Sequence, residues 1–242
     1  MPRTAKAYIA LILASGAALL LVAAGSWSSA SLRQYLALLC FTAAASTLKI
    51  RIPGVESTIS PNFLFLLLAM LSCSFSEVIA ITLAAALVQS FWGAKRLRLI
   101  QVAFSAATLV VSAAAAYECA HLLLGVDAVR SPAAFVILAG SLYLSLDTAL
   151  VSAVIGLAEG KPPAQVARAC CGCVFPYFIS GIALAGLISS TFPRSTAWNG
   201  AIALFPMVVL GYLYLQNRTR GVARAHVQPP SEQDEELVES VL

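Results

Sequence analysis

The sequence predicts an all-α fold, a polytopic bundle of about eight transmembrane helices. Hydrophobic residues make up 60% of the 242-residue chain and charged residues only 11%, which is far from the composition of soluble domains. The apolar residues form long runs, and a helix needs about 20 such residues to cross a bilayer. Lys and Arg fall almost entirely in alternate gaps between those runs. We therefore expect an integral membrane protein.

The apolar runs define eight candidate spans. They are 7–25, 33–48, 61–75, 77–93, 102–124, 133–157, 173–191 and 198–216. The third and fourth are marginal, since about 17 residues is the lower limit for a straight crossing. Ser74 and Glu77 have the spacing of a capping box, which predicts a tight helical hairpin between these two runs. If the hairpin is re-entrant, six full spans and a half-crossing pair remain.

The basic residues provide a test of this topology. With an even number of spans, successive gaps lie on opposite faces of the membrane. One set of gaps holds only Arg33, Arg130 and Arg194, and the other set holds the remaining twelve of the 15 Lys and Arg residues. By the positive-inside rule the richer set faces the cytoplasm. Both termini are therefore expected in the cytoplasm.

The first run has an alternative interpretation. Arg3 and Lys6 precede an apolar run that ends in the small residues 23–26, a pattern also found in signal peptides. The run is longer than the roughly 7 to 15 residues usual in such peptides. Retention as the first span is the preferred interpretation.

The six Cys residues do not predict a disulfide or a metal site. Three lie within apolar runs, and Cys170, Cys171 and Cys173 lie near the predicted cytoplasmic face, where reducing conditions disfavour disulfides. No second Cys or His cluster completes a four-ligand zinc site. No metal and no cofactor are expected.

Two units are expected along the chain. Residues 1–220 form the transmembrane domain, and residues 221–242 are polar and acidic. A segment of that composition cannot bury enough apolar surface to fold alone, so it is expected to be a disordered cytoplasmic tail. The alternative is a docking peptide whose small apolar face consists of Leu237, Val238, Val241 and Leu242.

Two basic segments between spans are candidate contacts with lipid headgroups. In residues 49–56, Pro53 and Gly54 predict a turn, and the alternating basic and apolar residues before it favour an extended strand or an interfacial segment. The second segment contains Lys95, Arg96 and Arg98. Both are expected to be connectors that follow the charge rule. The alternative for residues 49–56 is a cytoplasmic contact or an anionic-headgroup site, and the alternative for the second segment is that it holds lipid phosphates.

Ionisable residues within spans are candidate functional groups, because burying one in lipid is costly. Glu118 and His121 are three residues apart, so they lie on one face of the fifth span, in its outer third. They line either a water-exposed vestibule or a pH or metal sensor. Asp147 lies near the middle of the sixth span, roughly 20 Å deeper.

Counting about 1.5 Å per residue along each span places other polar residues at the same depth as Asp147. This predicts a polar layer around Asp147. This layer is either a ligand pocket or protonation switch, or a set of interhelical hydrogen bonds without further function. Its other expected members are Gln89, Thr108, Ser112 and Tyr177. Small residues at 84–86, 113–116 and 185–186 are expected to allow close helix packing.

Several short segments together resemble the multi-pass membrane domain that precedes GGDEF or HD-GYP output domains in bacterial cyclic-di-GMP signalling proteins. The matching segments are 49–54, 58–65, 95–98 with 102–107, and 143–148 with 158–161. The resemblance covers roughly residues 33–216 and implies a sensor in the bacterial cytoplasmic membrane. Such domains often carry Asn where this sequence has Asp147. No output domain follows, so the signal is expected to pass to another polypeptide.

The hairpin and the Ile-Pro-Gly segment also resemble the substrate-binding membrane component of energy-coupling-factor transporters. That resemblance implies a small-solute binding or transport protein, with Glu118 and His121 as ligand contacts. Catalytic motifs such as a Walker loop or a His-Glu-x-x-His sequence are absent, so no enzymatic activity is expected. The expected partners are membrane lipids, with a cytoplasmic signalling protein, another membrane protein or a small molecule as alternatives; nucleic acid is not expected.

Overall fold

The structure is a computed structural model, and it describes residues 2–29, 31–48, 50–51, 58–59, 61–92, 99–125, 131–191, 199–202, 204–209 and 211. These ranges form a helical bundle with one pair of very short strands, which confirms the all-α prediction. The strands are β1 (Ile50–Arg51) and β2 (Thr58–Ile59). The helices are α1 (Arg3–Gly25), α2 (Leu32–Thr47), α3 (Asn62–Ser72), α4 (Phe75–Phe91), α5 (Leu99–Leu124), α6 (Pro132–Glu159), α7 (Pro163–Thr191) and the shorter apolar α8 (Asn199–Val209).

The first six helices begin and end within four residues of the predicted spans. The seventh differs, because α7 begins at Pro163 and not at residue 173. Its added turns carry the exposed residues Gln165 and Arg168, which interrupt the apolar run but not the helix. Pro163 suits the first helical position, where its missing N–H is not needed. The predicted span 173–191 lies within this helix, and the helix is longer because hydropathy marks the apolar part of a helix and not its solvated extension.

Three helices are long and apolar enough to cross a membrane, namely α1, α5 and α6. In contrast, α3 has 11 residues and spans only about 16 Å, because each residue adds about 1.5 Å. This length is roughly half the thickness of a bilayer core.

The short helix α3 lies at the centre of the bundle. Every side chain from Phe63 to Leu71 is at most 4% exposed, and α2, α4, α6 and α7 pack around it. Phe65 of α3 stacks on Phe41 of α2 at 5.9 Å and lies near Phe205 of α8. Exposure to water is most unfavourable for a helix that is apolar on all sides. Such a helix is therefore buried on all sides when the bundle forms.

Small residues lie where helices come close together, both at predicted positions and at Gly16, which was not predicted. Ala113 and Ala116 on α5 are fully buried. Where α1 crosses α5, a Cβ atom placed on Gly16 would lie 2.8 Å from the Cβ of Ala107. Contact this close requires glycine on one side, so the position of α1 depends on Gly16.

The segment after α2 is extended at its start, as predicted. Ile50 pairs with Ile59 and Arg51 with Thr58 in an antiparallel ladder. The predicted turn at Pro53 and Gly54 lies outside the described residues, and so do Lys95, Arg96, Arg98 and the tail 221–242.

Candidate functional site

A buried carboxylate lies at the hairpin between α3 and α4. Glu77, in the first turn of α4, is 2% exposed. The backbone N–H of Ser74 donates to Glu77 Oε2 at 2.9 Å, and the N–H of Glu77 donates to Ser74 Oγ at 3.4 Å. These two bonds form the predicted capping box, which satisfies N–H groups at the start of the helix.

The connection between α1 and α2 is hydrogen-bonded to this hairpin. The hydroxyl of Ser29 donates to Glu77 Oε1 at 2.6 Å, and the hydroxyl of Ser74 donates to the carbonyl of Ser28 at 2.6 Å. A third contact joins the hydroxyl of Ser76 to the carbonyl of Ser26 at 3.1 Å. We call residues 26–29 and 74–77 together the Glu77 network. It ties two segments that are about fifty residues apart in the sequence.

Within the described part of the chain, Glu77 has no Lys, Arg or His partner at ion-pair distance. Its charge is stabilised instead by the Ser29 hydroxyl, the Ser74 N–H and the positive end of the α4 dipole. The sequence reasoning missed this site, because it treated Glu77 as a helix cap and counted only three ionisable residues in the spans. One sequence feature could have pointed to this site. The serine-rich gap at 26–31 is predicted to lie on the same side of the membrane as Ser74.

Aromatic side chains continue from the Glu77 network onto α5. The hydroxyl of Tyr117 donates to the carbonyl of Cys73 at 3.4 Å, and its ring lies 4.1 Å from the ring of His121. His121 Nδ1 lies 2.9 Å from the carbonyl of Tyr117, and only a protonated Nδ1 can donate to that oxygen. The His121 ring also contacts Phe135 of α6 at 4.7 Å. His121 therefore belongs to the same end of the bundle as Glu77.

Glu118 does not join His121. Its side chain is exposed, whereas His121 is half-buried between α5 and α6. Positions three apart differ by about 60° around a helix, and the boundary of the buried face of α5 falls between these two residues. The expectation that they act together is therefore not supported by their surroundings.

Asp147 lies on α6, one turn below an aromatic cluster. The ring of Tyr143 stacks on Phe63 of α3 at 5.4 Å, and Phe63 contacts Phe178 of α7 at 4.4 Å. Residues four apart share a helix face, so Asp147 lies on the same side of α6 as Tyr143. It is half-buried and makes no hydrogen bond or ion pair in the described part of the chain.

Among the described side chains, no member of the predicted polar layer forms a hydrogen bond with Asp147. Thr108 is buried and donates to the carbonyl of Phe104 at 2.9 Å, and Ser112 is buried with no partner for its hydroxyl in those residues. Gln89 is half-buried on α4, which packs mainly on α5 and α2. The Tyr177 side chain lies outside the described residues. The layer stays a prediction.

The chain is thus an all-α bundle with three membrane-length apolar helices, and two of its described carboxylates, the buried Glu77 and the half-buried Asp147, lie apart from each other. In the ranges that the structure describes, no group of three or more His, Cys, Asp and Glu side chains is placed to hold a metal ion. Comparisons with protein-family models, with curated proteins and with solved structures found no match.

Proposed function

We propose that this chain is a multi-pass protein of a bacterial cytoplasmic membrane, with both termini in the cytoplasm, that acts as a sensory or scaffolding component. It passes its signal to a cytoplasmic or membrane partner. The observation that carries this proposal is the position of α3, a fully buried helix held by polar contacts at both of its ends.

The outer end of the bundle supports the proposed orientation. The Glu77 network joins the gap after α1 to the gap between α3 and α4, and His121 lies near the end of α5. These gaps belong to the set with few basic residues, which faces away from the cytoplasm under the positive-inside rule. The outer end would receive the signal.

At its other end α3 is tied to α2. The side-chain amide of Asn62 donates to Ser46 Oγ at 3.1 Å, and β2 precedes this point by three residues. Side chains packed as tightly as those of α3 do not deform continuously, so a shift at one end of the helix moves the other. In this proposal α3 links the Glu77 network to the segment that contains β1 and β2.

Topology is the first test. Fusions of alkaline phosphatase, which is active only outside the cytoplasm, are made after Ser28 and after residue 220. Activity is expected for the first fusion and none for the second. Activity at residue 220 would contradict the proposed orientation.

The second test asks whether the outer end controls a partner. A photo-crosslinking amino acid replaces Val227 in the full chain, and crosslinked products are compared between the wild type and Glu77→Gln. A discrete product whose yield changes in Glu77→Gln, but not in the exposed control Glu118→Gln, is expected. An unchanged yield in Glu77→Gln, or no product, would count against signalling through the tail.

A second candidate function is small-solute binding or transport, and the carboxylate of Asp147, which has no partner in the described residues, favours it. Under this alternative, Asp147→Asn lowers solute binding or uptake, and deletion of 221–242 leaves binding intact. Under the sensory function the same deletion abolishes the response of the partner. The two functions are therefore separated by one deletion and one substitution.

A further inference from the structure

We propose that Asp147 binds a protonated amine with an apolar or aromatic body, in a crevice that opens where α3 begins. The direction from which the amine enters depends on the orientation given in the proposed function. The binding chemistry itself depends only on the surroundings of Asp147.

The side of α6 that carries Asp147 faces the interior of the bundle. Gly140, which is seven residues earlier and on the same face, lies against Ile182 of α7 and Leu67 of α3. Tyr143 lies against Phe63. Because Phe63 is the second residue of α3, Asp147 lies level with the start of that helix or just past it.

Burial along this face of α6 changes at Asp147. Val136 is fully buried and Tyr143 is 6% exposed, whereas Asp147, Leu150 and Val154 are only half-buried. The change falls level with the start of α3, so these side chains are less covered than those that pack on α3. We call the partly exposed surface of Asp147, Leu150 and Val154 the inner crevice.

The helix α1 packs against α6 close to Asp147. The hydroxyl of Tyr8 on α1 donates to the carbonyl of Leu150, three residues after Asp147, at 3.2 Å. The inner crevice therefore has α1 within one helical turn of Asp147.

Charge defines the chemistry of the ligand. A carboxylate inside a membrane span is stable only with a partner or water, and Asp147 has no cationic partner in the described residues. An anion is excluded by repulsion, and a cationic group is favoured.

The surroundings favour an organic cation over a metal ion. Ca²⁺ takes six to eight oxygen ligands, whereas in the described residues no group of three or more His, Cys, Asp and Glu side chains is placed to hold a metal ion. One turn above Asp147 are the rings of Phe63, Tyr143 and Phe178. Aromatic rings attract cations and also pack against apolar groups. A ligand whose ammonium group lies beside Asp147 and whose apolar body lies toward the rings matches both the carboxylate and the aromatic cluster.

Carbodiimide modification provides the first test, because this reagent attacks carboxyl groups in apolar surroundings. The full chain in lipid nanodiscs is treated with N,N′-dicyclohexylcarbodiimide, and the modified residue is identified by peptide mass spectrometry. Benzylammonium is expected to slow modification of Asp147 by roughly tenfold, as a charge pair would. Neutral benzyl alcohol is expected to have no effect, and modification of the exposed Glu118 is expected to stay unchanged.

Direct binding provides the second test. Radiolabelled benzyltrimethylammonium is expected to bind the wild type at one saturable site, with affinity lowered roughly tenfold in Asp147→Asn and retained in Asp147→Glu. If Asp147→Asn does not fold, protection of the wild type from carbodiimide decides the question. Equal protection by benzyl alcohol, or no protection by benzylammonium, would overturn the cation site.

Oriented vesicles separate this inference from the proposed orientation. Benzyltrimethylammonium does not cross membranes, so it is expected to protect Asp147 in inside-out vesicles only. Protection in right-side-out vesicles only would retain the cation site and refute the proposed topology.

Discussion

Ser29 donates a hydrogen bond of 2.6 Å to the carboxylate of Glu77, a residue 48 positions further along the chain. Ser29 lies in the connection after α1, and Glu77 lies in the first turn of α4. A hydrogen bond to a buried charge is stronger than one between neutral groups. This contact therefore holds the outer connection against the central hairpin.

Removing the charge of Glu77 is expected to destabilise the bundle. Glu77→Gln keeps the size of the side chain but weakens the bonds from Ser29 and Ser74, with an expected loss of about 2 kcal/mol. The measurement is the thermal unfolding midpoint of the purified chain in detergent. Glu118→Gln, on the exposed face of α5, is the matched control and is expected to leave the midpoint unchanged. Equal midpoints for the two variants would show that the Glu77 bonds contribute nothing to stability.

Ser29 and Glu77 are expected to be energetically coupled. Ser29→Ala alone removes one bond to a charged group and is expected to cost about 1.5 kcal/mol or more. In the Glu77→Gln background the same substitution is expected to cost clearly less, because the partner charge is already gone. A double-mutant cycle of unfolding free energies measures the difference. Strict additivity would contradict the contact.

Gly16 is expected to tolerate no side chain. Gly16→Ala places a methyl group 2.8 Å from the Cβ of Ala107, and overpacking of this kind costs about 1 to 3 kcal/mol. Adding Ala107→Gly is expected to restore only part of the lost stability, because the Cα of residue 107 still lies 3.0 Å from the new methyl group. Gly25→Ala is the control, because a Cβ at Gly25 meets nothing within 4 Å. Failure of Ala107→Gly to rescue the variant would place the strain elsewhere.

Ser112 is expected to be replaceable without loss. Its hydroxyl is fully buried and has no hydrogen-bond partner among the described residues, so Ser112→Ala removes an unsatisfied polar group. Stability is expected to stay the same or rise by about 1 kcal/mol. Ser76→Ala, which loses the bond to the carbonyl of Ser26, is expected to lower stability. A clear loss in Ser112→Ala would point to a partner in the remainder of the chain.

Features that depend on near neighbours in the chain were predicted well. The apolar runs gave the positions of the first six helices, and the spacing of Ser74 and Glu77 gave the hairpin and its capping box. The start of α7 was missed because its first turns are polar. Hydropathy indicates which part of a helix lies in apolar surroundings. It does not mark where the helix begins, because the helical backbone can continue into a polar region.

Contacts between helices were predicted less well. The shared face of Glu118 and His121 follows from their spacing, but only His121 meets another helix, at Phe135. Asp147 was expected beside Thr108 and Ser112 because their depths agree. Among the described residues no hydrogen bond joins them, so this layer stays a prediction. Tyr143 and Gly140, on the same face of α6 as Asp147, contact α3 and α7.

The sequence by itself determined a helical bundle, the positions of most of its helices and the hairpin between α3 and α4. These follow from hydropathy and from hydrogen bonds a few residues apart. Only the tertiary structure decided that α3 is central, that Ser29 reaches Glu77 and that Asp147 lies beneath Phe63. The physical reason is that these helices are apolar on nearly every side. Their sequence gives no preferred direction of contact, so side-chain shape and close packing between helices select which faces meet.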